Sequence, residues 1–427
     1  MATSFLRRLF GGGPPAALPR LLELCQALLA ESGEYASAAL ARDALAAYKA
    51  LDERSREAFF DALARQYSPA PEAVARAAAA YQADPSPEHL IALQAVVEPQ
   101  RQELFRRLNM APGGTAALVE MRKTLLAALP ARPEWRVIDS DLMHLLRSWF
   151  NRGFLRLERI DWRTPALVLE KLIEYEAVHA IRGWWDLRRR LEGDRRCFAF
   201  FHPQLPDEPI IFIEVALTRG MSAHVQPLLD QRAPVAAPAQ ADCAMFYSIT
   251  NCQEGLRGIS FGNLLIKQVA EELKREFPHL RRFATLSPIP GFRRWLEKVA
   301  DKALLAKIAD PAWHLGEVPE TLQKDLMRLC AHYLLNAKRG AEPLDAVARF
   351  HLGNGAALER LNWLGDTSEQ GMARSAGLMV NYVYWLADVE KNHERYFREH
   401  FIAASPVIEK LAREAPLPAP QATKGAA

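Results

Sequence analysis

The sequence predicts an α+β protein in which an all-helical bundle domain precedes a mixed α/β domain. From residue 18 to about residue 129, apolar side chains recur at helical spacing and strand-like alternation is absent. Beyond residue 130, short strand-like apolar runs alternate with amphipathic segments. The chain has 427 residues, which is more than one hydrophobic core usually contains, so two domains are expected.

These patterns set the predicted domain bounds. We predict the helical bundle over residues 15–140 and the mixed α/β domain over residues 141–412. Residues 1–14 and 413–427 are expected to be disordered tails. The first has two arginines but lacks a long apolar stretch and a convincing cleavage site, so a frayed tail is favoured over a short amphipathic transit peptide. The second is rich in alanine and proline.

Apolar stripes and capping signals indicate the helices of the first domain. The segment LPRLLELCQALLAE places Leu21, Leu22, Cys25 and Leu28 on one helix face. Two further segments, SPAPEAV and SPEHLIA, each open with a serine cap and an early proline, and Pro99 is expected to end or kink the second of these helices. No cluster of polar residues converges here, so we expect this domain to be structural and to hold no catalytic group.

The second domain is predicted from its alternation of strands and helices. Strands are expected in the runs RCFAFFHP, PIIFIEVAL, AMFYSIT and RFATLS. Helices are expected over Pro165–Ile181, from about Thr321 to Asn336, and from about Met379 to Asp388. Together these elements predict a sheet covered by helices.

Charge and cysteine usage argue against several classes of function. The net charge of +3 gives no reason to expect nucleic acid as the main partner, because binding a phosphate backbone needs a concentrated basic face. The five cysteines show no Cys-x-x-Cys spacing, which favours free thiols in a reducing compartment over a disulfide framework or a zinc site. No run of ~18 apolar residues occurs, so no transmembrane helix is predicted.

A serine stands at a predicted strand end in the segment ATLSPIPGFR, where two prolines follow it at alternate positions. Proline forces the residue before it toward extended geometry, so Ser287 and Ile289 are both expected to be extended. The motif fits either a rigid connector between strand and helix or a hydroxyl held in place for chemistry. No Gly-x-Ser-x-Gly elbow surrounds Ser287, so a hydrolase triad is poorly supported.

A loop with two glycines opens the segment GLRGISFGNLLIKQVAEELKREF, whose second half has the pattern of an amphipathic helix. Backbone N–H groups and the helix dipole favour a diphosphate at such a position, and Arg257 can add a charged contact. An ordinary turn that uses Gly258 and Gly262 for its geometry is the alternative, because the spacing matches neither GxxxxGK[ST] nor GxGxxG.

Further candidates for chemistry lie near the end of the second domain. His351 stands between an apolar segment and Gly-Asn-Gly, and it is either catalytic or a satisfied core histidine. In SAGLMVNYVYWL, the polar residues Asn381, Tyr382 and Tyr384 interrupt an apolar run. A buried tyrosine with one hydrogen-bond partner is the simpler interpretation of such a position.

Several strings in the second domain resemble one enzyme family. FYSITNCQEGLRGISFGNLLIKQVAEELKREFPHLRRFATLSPIPGF, ARFHLGNGAALERLNWLGD and GLMVNYVYWL resemble malonyl-CoA decarboxylases, and FAFFHPQLPDEPIIFIEVALT also fits that family. The resemblance covers about residues 165–390 in motifs. It implies a helical N-terminal domain followed by a catalytic domain of the GNAT acetyltransferase type.

The resemblance also implies roles for particular residues. Ser287 and His351 are implied to be catalytic, and we add Tyr384 of the third string as a candidate. The implied acyl-CoA-binding loop consists of Arg257, Gly258, Ile259, Ser260, Phe261, Gly262 and Asn263. Some relatives carry glutamate at the position of Ser260, so a carboxylate-assisted role is not expected there.

The implied reaction is the conversion of malonyl-CoA to acetyl-CoA and CO₂ by a carboxy-lyase of fatty acid metabolism. The thioester itself delocalises the charge of the enolate, so no metal or other cofactor is expected. Ser287 at the strand end can orient the carboxylate or a proton, and His351 can be a donor, since its reference pKa of ~6.5 lies near the operating pH. Malonyl-CoA is the expected partner, without nucleic acid or membrane. The resemblance suggests a homo-oligomer, dimer or tetramer, and a cytoplasmic location is favoured over the mitochondrial matrix.

Two other classes of function stay open at this point. An acyltransferase would bind acyl-CoA and pass the acyl group to an acceptor, and a non-catalytic CoA-binding protein would bind the ligand without turnover. Incubation with malonyl-CoA alone separates the three, because only a decarboxylase makes acetyl-CoA and CO₂ without an acceptor.

Overall fold

The structure is a computed structural model that describes residues 17–259 and 265–416, without the side chain of Arg152. The described chain divides into two units. One contains residues 17–155, 202–208 and 253–259, and the other contains residues 156–201, 209–252 and 265–416. Of the two predicted tails, residues 1–14 and 417–427 lie outside the described residues.

The first unit is helical, as the apolar stripes predict. Its described α-helices are α1 (Ala17–Ala30), α2 (Glu34–Lys49), α3 (Glu53–Arg65), α4 (Pro71–Ala83), α5 (Pro87–Val97), α6 (Gln100–Asn109), α7 (Gly114–Ala128) and α8 (Arg136–Trp149). Leu28, Phe60 and Trp135 are buried in its core, and the rings of Phe60 and Trp135 lie 5.2 Å apart. Pro99 separates α5 from α6, which confirms the predicted break.

A mixed sheet organises the second unit. Its described strands are β1 (Arg156–Ile160), β2 (Arg195–His202), β3 (Leu205–Thr218), β4 (Cys243–Asn251), β5 (Arg282–Thr285), β6 (Ser287–Pro288), β9 (Ala357–Asn362) and β10 (Met379–Val383), with a separate pair of β7 (Lys338–Arg339) and β8 (Glu342–Pro343). The order across the sheet is β1-β2-β3-β4-β5-β10-β6, and β9 also pairs with β10. Strands β4 and β5 are parallel, whereas β10 runs antiparallel to β5, β6 and β9.

Helices accompany this sheet along the chain. Those described are α9 (Ala166–Tyr175), α10 (Trp184–Arg190), α11 (Gln226–Leu229), α12 (Leu265–Glu276), α13 (Phe292–Val299), α14 (Lys302–Lys307), α15 (Glu320–Asn336), α16 (Ala346–Gly353), α17 (Glu369–Ser375), α18 (Val389–Glu399) and α19 (Pro406–Arg413). The amphipathic pattern predicted for α12 is confirmed, because Leu265, Val269 and Leu273 are all buried.

Two sequence predictions in this unit are wrong. The helix expected over Pro165–Ile181 ends at Tyr175, because the Glu176 carboxylate accepts the backbone N–H groups of Val178 and His179 and turns the chain there. The helix expected from Met379 is strand β10. Short apolar runs do not distinguish strand from helix by periodicity, and the valines and tyrosine of MVNYV favour a strand.

The predicted α+β class, with a helical bundle ahead of a mixed α/β unit, is confirmed, while the domain bounds proposed from the sequence stay a prediction. The four predicted strand runs correspond to β2, β3, β4 and β5. All five cysteines lie in the described chain, where they are buried and form no disulfide bond. Among the residues that the structure describes, none of the helices is both long and apolar enough to span a bilayer.

Candidate active site

Ser287 lies where the chain leaves one of its two neighbouring strands. The parallel pairing of β5 with β4 ends at Thr285 and Phe246, whereas the pairing with β10, which joins Ala284 to Val383, continues from Ser287 to Val380. Ser287 and Pro288 form the short extended strand β6, as the proline pattern predicts. The strand end therefore holds the Ser287 side chain in a defined position, and only 5% of this residue is exposed.

His351 is carried by helix α16, which begins with a side-chain cap. The Asp345 carboxylate accepts the backbone N–H groups of Val347 and Ala348, each at 2.9 Å. His351 follows in the next turn of this helix, and its Nε2 atom lies 2.9 Å from Oγ of Ser287. The structure thus brings the two residues into hydrogen-bond contact across 64 positions of sequence.

A chain of hydrogen bonds runs through this pair. The hydroxyl of Tyr384 lies 2.8 Å from Nδ1 of His351, and Oγ of Ser287 donates to Oγ1 of Thr285 at 2.8 Å. Because Ser287 donates to Thr285, it accepts from the Nε2–H of His351, and Nδ1 then accepts from Tyr384. Oγ1 of Thr285 also accepts the backbone N–H of Tyr382 at 3.1 Å, which fixes the far end of the chain.

Burial controls the protonation of these groups. His351 is 3% exposed, and the loss of hydration lowers its pKa from the ordinary value to about 3. The same effect raises the pKa of Tyr384 well above its usual value, so its hydroxyl keeps its proton. The reference pKa of ~6.5 therefore does not apply to His351, whose imidazole is buried and neutral at neutral pH.

A cavity of about 260 Å³ opens beside the Ser287–His351 pair. This volume is close to the lower end of the range of ~300–1,000 Å³ that is usual for small-molecule sites. Most of the lining is apolar, and among the described residues none that lines the cavity is a lysine or an arginine. The cavity is lined by Val178, Phe246, Tyr247, Ser248, Ile249, Asn251, Leu286, Ser287, Pro288, Ala346, Val347, Phe350 and His351.

Sequence reasoning missed two hydroxyl groups near this cavity. Thr285 precedes Ser287 by two residues and therefore shares its face of the strand, a relationship that strand periodicity alone could have indicated. Ser248 lines the cavity and donates to the buried carboxylate of Glu176 at 2.7 Å. No local signal connects Glu176 to Ser248, because 72 positions separate them. Asn381, which the sequence analysis singled out, binds the carbonyl of Thr285 at 2.7 Å and supports the strand.

The proposed CoA-binding loop is described only in part. Arg257, Gly258 and Ile259 are described and belong to the first unit, whereas Ser260, Phe261, Gly262 and Asn263 lie outside the described residues. The guanidinium of Arg122, which is 1% exposed, donates to the carbonyl groups of Gly255 at 2.7 Å and Arg257 at 2.9 Å. Gly258 has a φ of +81°, a conformation that glycine adopts without strain.

Family models match most of this chain. The model of the malonyl-CoA decarboxylase C-terminal domain matches residues 153–422, and that of the malonyl-CoA decarboxylase N-terminal domain matches residues 67–150. The chain belongs to the malonyl-CoA decarboxylase family. Members of this family are carboxy-lyases, so the chain is assigned as an enzyme of that class.

Individual relatives agree with the family assignment. The mitochondrial malonyl-CoA decarboxylase of Anser anser anser is 38% identical over 343 residues, which are 72% of this chain and 68% of the relative. That of Rattus norvegicus is 36% identical over 358 residues, with 75% and 73% covered. The crystal structure of malonyl-CoA decarboxylase from Rhodopseudomonas palustris is 51% identical with a TM-score of 0.89, covering 93% of this chain and 100% of that one. The one from Agrobacterium vitis is 46% identical with a TM-score of 0.86, covering 92% and 99%.

Proposed function

We propose that the chain converts malonyl-CoA to acetyl-CoA and CO₂ and that Ser287 and His351 carry the proton transfer of this reaction. One observation carries the mechanistic part of the proposal. The 2.9 Å contact between Ser287 and His351 lies on the wall of a mostly apolar cavity. A thioester that enters this cavity would meet a hydroxyl already linked to a proton source.

The composition of the cavity favours loss of the carboxylate. The described residues that line it include no lysine or arginine, so a malonyl carboxylate bound there would exchange hydration for apolar contacts. Decarboxylation spreads this charge over a thioester enolate and releases neutral CO₂. The transition state therefore needs less stabilisation by water than the bound carboxylate does. A dry cavity raises the free energy of the carboxylate more than that of the transition state, which lowers the activation barrier of decarboxylation.

Protonation of the enolate needs one proton from solvent, which His351 takes up in the enzyme–substrate complex. The imidazole is neutral in the free protein, and the negative charge of a bound substrate raises its pKa. When the C–C bond to the carboxylate breaks, its electron pair forms the enolate. The Ser287 O–H then transfers its proton to the α-carbon, and the Nε2–H of His351 returns a proton to Oγ. His351 is then neutral with its proton on Nδ1, and proton exchange with solvent restores the Nε2–H form.

Tyr384 and Thr285 orient this pair in the proposed mechanism. The Tyr384 hydroxyl contacts Nδ1 of His351 at 2.8 Å and holds Nε2 toward Ser287. Thr285 accepts the Ser287 O–H at 2.8 Å in the free protein, and this O–H turns toward the α-carbon when the enolate forms. Fixing the rotation of both side chains lowers the entropic cost of proton transfer.

The segment Arg257–Asn263 is proposed to bind the CoA diphosphate through its backbone N–H groups. In the described part of this segment, the positive φ of Gly258 and the hydrogen bonds from Arg122 to the Gly255 and Arg257 carbonyl groups support a defined backbone conformation. Backbone N–H groups held in this way bind phosphate without a large cost of ordering.

The location and assembly of the enzyme are also proposals. The two solved relatives described above are bacterial, whereas the curated relatives are named as mitochondrial. We propose a cytoplasmic location and a homo-oligomer, dimer or tetramer. Size-exclusion chromatography with light scattering tests the second point, and a monomer at working concentration would overturn it.

The test of the proposed reaction is incubation of the purified chain with malonyl-CoA and no acceptor. Chromatography of the CoA esters should show acetyl-CoA formed with an equal amount of CO₂, and the Ser287→Ala variant should form it at least tenfold more slowly. Turnover only after an acceptor is added would instead indicate an acyltransferase. Binding of malonyl-CoA without turnover would leave a CoA-binding protein.

A further inference from the structure

Asp345 is a buried carboxylate that the proposed mechanism does not use. It is 2% exposed and stands six residues before His351, at the start of helix α16. Its Oδ1 atom accepts both capping hydrogen bonds of the helix, from Val347 and Ala348. Capping alone needs only this one oxygen, and the second oxygen of Asp345 faces another part of the unit.

The second oxygen connects the helix to the segment that follows Ser287. The hydroxyl of Tyr333 donates to Oδ2 of Asp345 at 3.3 Å, and both of these groups lie against Gly291. Gly291 belongs to the PIPG sequence directly after Ser287. The carboxylate that caps the histidine helix therefore also packs against the chain beyond the serine.

The packing around Gly291 leaves no space for a side chain at this position. A Cβ atom on Gly291 would lie 2.2 Å from the Tyr333 hydroxyl oxygen and 3.6 Å from Oδ2 of Asp345. Pro288 and Pro290 stand between Ser287 and Gly291 and fix their own φ angles, so this short segment is stiff. A shift at Gly291 is therefore transmitted to Ser287 instead of being absorbed between them.

We propose that Asp345 is a positioning residue that sets the distance between Ser287 and His351. Asp345 contacts Gly291, at the end of the stiff segment 287–291, and it also caps the N-terminus of helix α16, which carries His351. This inference rests on the proposed function, because it assigns Asp345 a role that acts only through that pair. Asp345, Tyr333 and Gly291 form a junction between helix α16 and the segment after Ser287. Within this junction, the Tyr333 hydroxyl holds Oδ2 of Asp345 toward Gly291.

The first test is Asp345→Ser, which keeps a helix-capping hydroxyl and removes the oxygen that reaches Tyr333 and Gly291. The kcat on malonyl-CoA should fall about ten- to a hundredfold, the scale of a small misplacement of reacting groups, while KM stays within about twofold. The matched control is Asp301→Ser, since Asp301 caps α14 through the N–H of Leu304 and contacts neither member of the pair. It should leave kcat unchanged.

A double-mutant cycle separates positioning from a general loss of stability. In a His351→Ala background there is no pair left to position, so Asp345→Ser should lower kcat by less than about twofold. An equal loss of kcat in both backgrounds would overturn the proposal. If Ser287→Ala and His351→Ala retain normal kcat, the proposed function fails and the inference fails with it. If those two lose activity and Asp345→Ser does not, only the inference fails.

A second pair of variants keeps the test decisive if Asp345→Ser does not fold. Gly291→Ala should lower kcat at least tenfold, because its Cβ displaces the Tyr333 hydroxyl. Gly291→Ala combined with Tyr333→Phe removes the clashing oxygen, and the nearest remaining ring atom would lie 3.4 Å from the added Cβ. The combination should recover at least half of the kcat of Tyr333→Phe alone. No recovery, with both proteins folded by circular dichroism, would contradict the proposed junction.

Discussion

The Oγ atom of Ser287 lies 2.9 Å from Nε2 of His351 in this structure, although the two residues belong to a strand end and a separate helix. The strand places the hydroxyl at the wall of a cavity, and the capped helix α16 delivers the imidazole to the same point. The proposed reaction depends on this contact and on the groups that hold the two side chains in place.

Thr285→Val should lower kcat about tenfold with little change in KM. Valine has the shape of threonine without the hydroxyl, so Ser287 loses the acceptor at 2.8 Å and its side chain is free to rotate. The backbone N–H of Tyr382 also loses its partner, and the melting temperature should fall by an amount that corresponds to about 1–2 kcal/mol. Thr285→Ser is the matched control and should keep near-normal kcat. A fully active Thr285→Val enzyme would show that this hydroxyl does not orient Ser287.

Tyr384→Phe should lower kcat about ten- to a hundredfold at unchanged KM. The change removes the hydroxyl 2.8 Å from Nδ1 of His351 and keeps the ring, so the imidazole loses the group that fixes its orientation. Steady-state kinetics on malonyl-CoA measures the effect. The opposite split, in which KM rises and kcat is constant, would place Tyr384 in substrate binding.

The protein should lose stability on acidification because His351 is buried in its neutral form. Its pKa is about 3 in the folded protein, against ~6.5 when unfolded, so the unfolded chain binds more protons as the pH falls below ~6.5. The free energy of unfolding should therefore drop by about 1–2 kcal/mol from pH 7 to pH 5 through this group. Urea denaturation at both pH values measures it. The His351→Gln variant cannot titrate there, and its loss should be smaller by that amount; equal losses would contradict the burial argument.

Gly258→Val should raise the KM for malonyl-CoA at least tenfold. The backbone φ of +81° at Gly258 disfavours a β-branched side chain, although a Cβ atom would meet no described atom within 4 Å apart from its chain neighbours. The expected effect is therefore a change in loop shape and not a collision in the free protein. Asparagine tolerates positive φ, so Gly258→Asn should retain most of the affinity. An unchanged KM in a folded valine variant would remove this loop from the CoA site.

The sequence indicates the serine and the histidine through different signals, and it cannot show that they meet. The two prolines after Ser287 predict an extended, fixed serine, and the structure has it in strand β6. The Gly-Asn-Gly sequence after His351 gives no sign of helix α16, in which this residue lies. Their contact depends on how β6 and α16 pack within the unit. This packing involves the chain between the two residues, which are 64 positions apart.

The prediction of Met379–Asp388 as a helix shows the same limit. Strand β10 is a central strand that pairs with β5, β6 and β9, so its neighbours and not its own periodicity determine its conformation. The neutral state of His351 was also out of reach, because its pKa depends on burial that only the assembled core provides. The candidate side chains within each motif could be predicted from the sequence. The contributions of residues outside the motifs, such as Asp345 and Glu176, could not.

The most direct test of the central claim is a comparison of kcat on malonyl-CoA for four proteins: the unmodified chain, Ser287→Ala, His351→Ala and the double variant. If the two residues act on one transition state, each single change should cost about 2–4 kcal/mol in kcat, the scale of one lost preorganised donor. The double variant should then lose far less than the sum, with melting temperatures close to that of the unmodified chain. Near-normal turnover in either single variant, or losses that simply add, would contradict the claim that Ser287 and His351 form one catalytic pair.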